Sequence, residues 1–327
     1  MRSLLATLVL AGTFIYSTAA FAQVEAGNPK FDTVATEIPG VIENGAKIRF
    51  LRERFNGTEG PIALPDGSVV FTETNANRLM RIDQDGNGSR WLFNTNGANG
   101  LAFDAQGRLI AVQTVPGKTA VSIIYPSGQE KVLSDNYDGK PYGRPNDLVV
   151  DKKGGVYFTD PGPNAKPGDP PAPLPPAVYY IPNGGKAVQV ATDITRPNGV
   201  QLSPDEKTLY VNDTRGEYMI AFDIQPDGKL TNRRNFAKYS NVEREGGQIS
   251  SGADGIAIDN EGRVYSAING GIEVFSPQGQ SLGIIPVSRK PQNLAFSGPD
   301  KRVLYIVGRG AAFRVSMIAQ GYTGRAK

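Results

Sequence analysis

The sequence predicts an all-β fold, a six-bladed β-propeller whose ring is closed by an N-terminal strand in the last blade. Three observations lead to it. Six short stretches repeat one pattern, opening at Glu59-Gly60-Pro61, Asn99-Gly100-Leu101, Asn146-Asp147-Leu148, Asn198-Gly199-Val200, Asp254-Gly255-Ile256 and Asn293-Leu294-Ala295. Each runs on through apolar residues into a turn rich in glycine or aspartate and then a second apolar strand. The recurrence, roughly 40–50 residues, is the length of one propeller blade.

Taken in chain order, the first element is a leader. Arg2 gives a positive start, residues 4–15 are mostly apolar, and Ala20-Phe21-Ala22 fits a small-x-small cleavage site. Cleavage is expected after Ala22, giving an exported protein, periplasmic or secreted. The apolar run is too short to span a bilayer and no later segment is long enough. Residues 23–45 read as an extended lead-in without periodicity. Residues 47–55 alternate apolar and charged side chains, as a half-buried strand does, and are assigned to the outer edge of the last blade, where they remove an exposed edge. Residues 46–320 form one propeller domain and 321–327 a short tail.

Within the domain, Pro182-Asn183-Gly184-Gly185 and Pro226-Asp227-Gly228 mark hairpins in the third and fourth blades. Residues 161–176 are rich in proline, which suits either a lid or a stiff surface connector. In an antiparallel four-stranded blade, the loop between the second and third strands returns to the face where the inner strand begins. Residues 74–77, 115–118, 161–176, 213–217 and 269–270 are therefore expected around the repeated Asn, Asp and Glu anchors.

Composition narrows the chemistry. Lysine plus arginine, 35, nearly balances aspartate plus glutamate, 32, and no basic block points to nucleic acid. The chain has no cysteine and no histidine. That excludes disulfides, Cys or His nucleophiles, a Ser-His-Asp triad and zinc held by nitrogen and sulfur. Any metal must be held by oxygen, which favours Ca²⁺ ahead of Mg²⁺ or Mn²⁺. The shared register of the anchors directs six side chains into one central channel. Two carboxylates, Glu59 and Asp254, with the amides of Asn146 and Asn198, would offset a divalent charge. Asn-Gly is also the commonest tight-turn dipeptide, so each anchor taken alone reads as a turn before it reads as a ligand, and the shared register is what favours the ligand reading. The run Asp83-Gln84-Asp85-Gly86-Asn87-Gly88 imitates half of an EF-hand loop, but its twelfth position is Asn94 rather than glutamate. It reads as a hairpin turn.

The best motifs are Glu59-Gly60-Pro61; Arg144-Pro145-Asn146-Asp147 with Tyr157-Phe158-Thr159-Asp160-Pro161; Arg196-Pro197-Asn198-Gly199 with Leu202-Ser203-Pro204-Asp205; Ala253-Asp254-Gly255; and Asn293-Leu294-Ala295-Phe296 with Leu304-Tyr305-Ile306. With these, the chain resembles the senescence-marker-protein (regucalcin), gluconolactonase and luciferin-regenerating-enzyme family over residues 54–315. The resemblance implies one catalytic divalent cation on Glu59, Asn146, Asn198 and Asp254, with Asp254 also the general base. It implies Ca²⁺ first, with Mg²⁺, Mn²⁺ or Zn²⁺ as alternatives. Arg144 would contact substrate, and Asn99 would line the same ring. Many bacterial gluconolactonases carry Cys-Glu-His where this chain has Val112-Gln113-Thr114, and Ser-Asp where it has Thr72-Glu73. Gln113 and Glu73 are therefore read as substrate-contacting positions that bear on specificity. The expected activity is hydrolysis of a sugar or related lactone, a small-molecule partner. A phosphotriester or aryl ester hydrolase on the same site, and a non-catalytic calcium- or ligand-binding propeller, stay as alternatives.

Overall fold

The structure is a computed structural model that describes residues 29–166 and 168–327. The expected leader, residues 1–22, lies outside the described residues. Among these, five four-stranded antiparallel sheets and one of five strands carry the fold, with two short ribbons between blades. The inner strands of the first five blades are Thr58–Ala63, Ala98–Phe103, Leu148–Val150, Pro197–Leu202 and Ile256–Ile258. The sixth blade runs Asn293–Ser297, Val303–Gly308 and Ala311–Ser316, and Lys47–Glu53 pairs antiparallel with the last of these, Arg49 facing Arg314.

The strand expected over 47–55 stops at Glu53, because Arg54 adopts φ 73° and leaves the extended region. The described part of the lead-in is more than a connector. Thr33–Val34 adds an outer strand, and Ala35, Ile38, Val41 and Ile42 are buried.

Side chains alternate across each strand, so every sheet has two faces. Both are covered. Six apolar clusters occur among the described residues, and each joins one pair of neighbouring blades. Ile62, Val70 and Leu79 meet Leu101 and Ala111 between blades one and two. Tyr305, Val307 and Ala312 meet Val69 and Phe71 between blades six and one. Burying such side chains contributes about 1.5–3 kcal/mol each, enough for a chain without cross-links. The candidate EF-hand segment is a turn between Arg78–Ile82 and Gly88–Phe93, with the Asp83 amide donating to the Asn87 carbonyl at 3.0 Å. No described helix is long and apolar enough to cross a membrane.

Candidate metal centre and the mouth of the channel

Blade packing explains the repeated anchors. The amide N–H of Gly100 donates to the Asn146 carbonyl at 3.0 Å, that of Gly199 to Asp254 at 3.0 Å, and that of Gly255 to Gln292 at 2.8 Å. Each inner strand therefore begins bonded to the start of the next. An ideal Cβ on Gly60 would lie 2.1 Å from the Asn99 carbonyl oxygen, and one on Gly199 2.0 Å from that of Asp254. Glycine follows the anchor because the neighbouring backbone occupies the space of a side chain. Gly100, Gly199 and Gly255 lack positive φ, so close approach rather than turn geometry accounts for the Asn-Gly and Asp-Gly pairs.

The sixth anchor shifts by one residue. Asn146, Asp254 and Gln292 each donate their backbone N–H to the second strand, at 2.8, 2.9 and 2.8 Å. Gln292, not Asn293, occupies the repeated position. Asn293 matches Asp147 instead: in both, Oδ1 accepts from the next residue's amide at 2.9 Å. The signal for this register was Lys290-Pro291 before Gln292, parallel to Arg144-Pro145 before Asn146 and Arg196-Pro197 before Asn198.

Three of the four expected metal ligands carry an unsatisfied oxygen. Oδ1 of Asn146, Asn198 and Asp254 is buried with no hydrogen-bond partner. A buried orphan acceptor costs about 1–3 kcal/mol, so three at one mouth need a compensating ligand. Asn198 is oriented by its other atoms: Nδ2 donates to Thr214 Oγ1 at 3.0 Å, and its carbonyl accepts from Thr159 Oγ1 at 2.6 Å. Glu59 is buried, and its two oxygens accept long side-chain amide bonds from Gln292 and Asn293, both at 3.2 Å. Burial pushes the Glu59 carboxyl up to about 7, with the Asp147 charge adding to it and Asn293 and Arg144 opposing. Burial, then Glu59 and Asp147, hold the Asp254 carboxyl well above the usual carboxylate range.

Two buried carboxylates whose proton affinity is raised, that of Asp254 in part by Glu59, beside two amide oxygens without donors, fit a hard divalent cation. Among the described residues no three His, Cys, Asp or Glu side chains cluster for a metal; half of this donor set is amide.

The other expected contacts differ in freedom. Arg144 is half-buried and its guanidinium makes no hydrogen bond or ion pair among the described residues. Asn99 is committed to the ring, with Nδ2 donating to the Asn146 carbonyl at 2.9 Å and Oδ1 accepting from Thr74 at 3.1 Å. Gln113 donates to the Thr95 carbonyl at 3.0 Å and accepts from Ser122 at 2.8 Å. Glu73 is fully buried, accepting from the Asn56 amide at 2.8 Å and pairing with Arg78. Gln113 and Glu73 thus spend their polar atoms on adjoining strands and loops inside the fold.

Sequence reasoning missed the far end of the channel. Residues 321–327 cross beneath the hub. Arg325 donates to the Leu202 carbonyl at 2.6 Å and pairs with Glu206 at 3.0 Å. Lys327 is buried and pairs with Asp147, one residue after a candidate ligand. A contact across 180 positions leaves no local trace in a sequence.

Residues 57–309 match the family model "SMP-30/Gluconolactonase/LRE-like region". A gluconolactonase from Zymomonas mobilis is 28% identical over 279 residues, covering 78% of this chain and 77% of that protein. The solved structure of a gluconolactonase from Xanthomonas campestris superposes with a TM-score of 0.75 at 28% identity, covering 90% of this chain and 97% of that one. A calcium-binding regucalcin from Agrobacterium tumefaciens shares the fold, with a TM-score of 0.66 at 19% identity over 81% of this chain and 91% of its own. With the repeated anchors, the six interlocked blades and these likenesses together, the chain belongs to the SMP-30/gluconolactonase/LRE-like family.

Proposed function

We propose that this protein hydrolyses lactones at the mouth of its channel, with one divalent cation held by Glu59, Asn146, Asn198 and Asp254. The observation that carries the reading is the set of three orphaned oxygens, on Asn146, Asn198 and Asp254, beside the buried Glu59. The gluconolactonases it resembles supply the reaction class. Bound there, a divalent cation such as Ca²⁺ polarises an ester carbonyl and offsets negative charge on its oxygen.

The chain's own groups do the rest. Asp254, its carboxyl raised by burial, accepts a proton from the attacking water as its oxygen bonds to the acyl carbon. As the ring C–O bond breaks, Asp254 returns that proton to the departing alkoxide oxygen. The product is the open-chain hydroxy acid. Arg144 orients substrate oxygens with a guanidinium free of other bonds.

Metal analysis of the purified protein, followed by hydrolysis assays on sugar and aliphatic lactones with and without chelator, tests this directly. Lactone opening that chelator abolishes and Ca²⁺ restores is expected. Tight metal binding without turnover on any lactone would favour a binding protein instead, and turnover confined to phosphotriesters or aryl esters would move the substrate class. Export belongs to the same proposal, and the mature N-terminus should read Gln23.

A further inference from the structure

The residue two positions before each anchor divides the blades into two kinds. In blades one, two and five it is Gly57, Gly97 and Gly252, with φ of 79°, 64° and 64°. In blades three, four and six it is a cation followed by proline: Arg144-Pro145, Arg196-Pro197 and Lys290-Pro291. Proline fixes the backbone as it enters the inner strand. In two of these blades a carboxylate then holds the cation's own amide, Asp160 for Arg144 at 2.8 Å and Asp213 for Arg196 at 2.9 Å. One local device, used three times, sets a basic side chain at the rim of the channel.

The charged ends have no anion assigned to them. Arg196 Nη2 donates to Asn164 Oδ1, in the proline-rich loop, at 2.7 Å. Lys290 Nζ lies against blade five, where an ideal Cβ on Gly252 would come within 2.7 Å of it. Among the described residues none of the three cations has a carboxylate oxygen at ion-pair distance, and all three are half-buried. The nearby carboxylates are occupied. Asp160 accepts from the amides of Gly143, Arg144 and Gly162, and Asp213 from those of Thr195, Arg196 and Arg215. Asp147 holds Lys327. A divalent cation at the centre would balance Glu59 and Asp254, leaving the rim positive. Without that cation the three face Asp254, with Arg144 also facing Glu59 and Lys290 facing Glu243; once Glu59 and Asp254 are neutralised, like charges in a partly desolvated mouth are costly unless a ligand supplies the counter-charge.

We propose that Arg144, Arg196 and Lys290 form an anion cradle, and that the substrate is a lactone bearing a second, permanently charged group such as a carboxylate, sulfonate or phosphate away from its ring ester. The inference rests on the lactonase reading and narrows it. The cradle holds the remote anion, and the energy of that contact positions the ring ester over the anchors.

The test compares kcat/KM in saturating Ca²⁺ for neutral D-glucono-1,5-lactone, for 6-phospho-D-glucono-1,5-lactone and for D-glucaro-1,4-lactone, which carries a free carboxylate. Wild type should prefer at least one anionic lactone by about tenfold or more, and that preference should shrink as salt screens the contact. Arg196→Gln and Lys290→Gln should each cut the anionic-to-neutral ratio at least about fivefold, while Arg196→Lys keeps most of it. A wild-type enzyme that treats neutral and anionic lactones alike overturns the cradle. So do variants that slow both substrates equally and shift Ca²⁺ affinity, since the cations then only balance Glu59 and Asp254. If no lactone is opened, the lactonase reading fails by itself. Calorimetric titration with 6-phospho-D-gluconate then decides the cradle: binding to wild type that weakens in both glutamine variants keeps it, and no binding to wild type overturns it.

Discussion

The two ends of the central channel are built by the same inner strands, yet they treat buried polar atoms in opposite ways. At the mouth, Oδ1 of Asn146, Asn198 and Asp254 is buried without a donor. From the far end, Arg325 pairs with Glu206 and the Leu202 carbonyl, and Lys327 reaches up the channel to Asp147 beside the anchors. The polar atoms left over at that end, Nε2 of Gln201 and Nε of Arg325, are donors, which a water satisfies and a metal does not. One end is closed by the chain itself and serves stability. The other keeps acceptors in reserve for a ligand the chain does not contain.

Asp254→Asn tests the mouth most severely. In chelator the variant should fold with an unchanged or higher melting temperature, because a buried carboxyl beside Glu59 is removed, and in Ca²⁺ it should lose about 10²–10⁴ in kcat on its best lactone. Near-wild-type turnover would remove Asp254 from the role of base. At the far end, Lys327→Met leaves the Asp147 carboxylate buried and unpaired, which should cost about 3–5 kcal/mol in a denaturant titration. Adding Asp147→Asn should return part of that loss. An unshifted midpoint would mean that the two ends do not differ in the way described.

Acidity separates the ends next. In metal-free protein the Glu59 carboxyl is raised from 4.5 to about 7, so between those values the folded state binds the extra proton. Stability is then full at low pH and falls as pH rises through about 7. The melting temperature of chelated protein should drop between pH 5 and 8, and saturating Ca²⁺ should flatten the profile. A metal-free profile that rises over that range would contradict the burial of Glu59. The smallest effect distinguishes two anchors of one residue type. Asn198→Ala should weaken Ca²⁺ binding by about tenfold, on the order of 1.4 kcal/mol. Asn99→Ala should leave Ca²⁺ affinity within about threefold and instead lower stability by roughly 1–2 kcal/mol, as expected for lost hydrogen bonds. Equal calcium effects would erase the distinction.

The sequence made the blades legible because a strand's side-chain period and its turn residues are local properties. Anchor positions were legible for the same reason in five blades. In the sixth, an asparagine before an apolar run imitated the anchor, and only the hydrogen-bond register moved the site to Gln292. The commitment of Asn99, Gln113 and Glu73 was hidden, since each has at least one partner 17 or more positions away. Residues 38–42 read as part of an aperiodic lead-in, though Ile38, Val41 and Ile42 are core. Too short for a period, they are recognisable only once blade six is there to cover them.

The pairing of Lys47–Glu53 with Ala311–Ser316 bears on how the polypeptide survives its own synthesis. A segment made near the beginning waits for a partner made near the end, through the assembly of five blades. During that interval its backbone donors and acceptors are open to any other strand. Lys47, Arg49, Arg52 and Glu53 stud it with charge, and charge is what keeps a lone strand from recruiting its neighbours into aggregates. Replacing those ionic side chains with threonine should therefore harm yield during expression more than it harms the finished molecule.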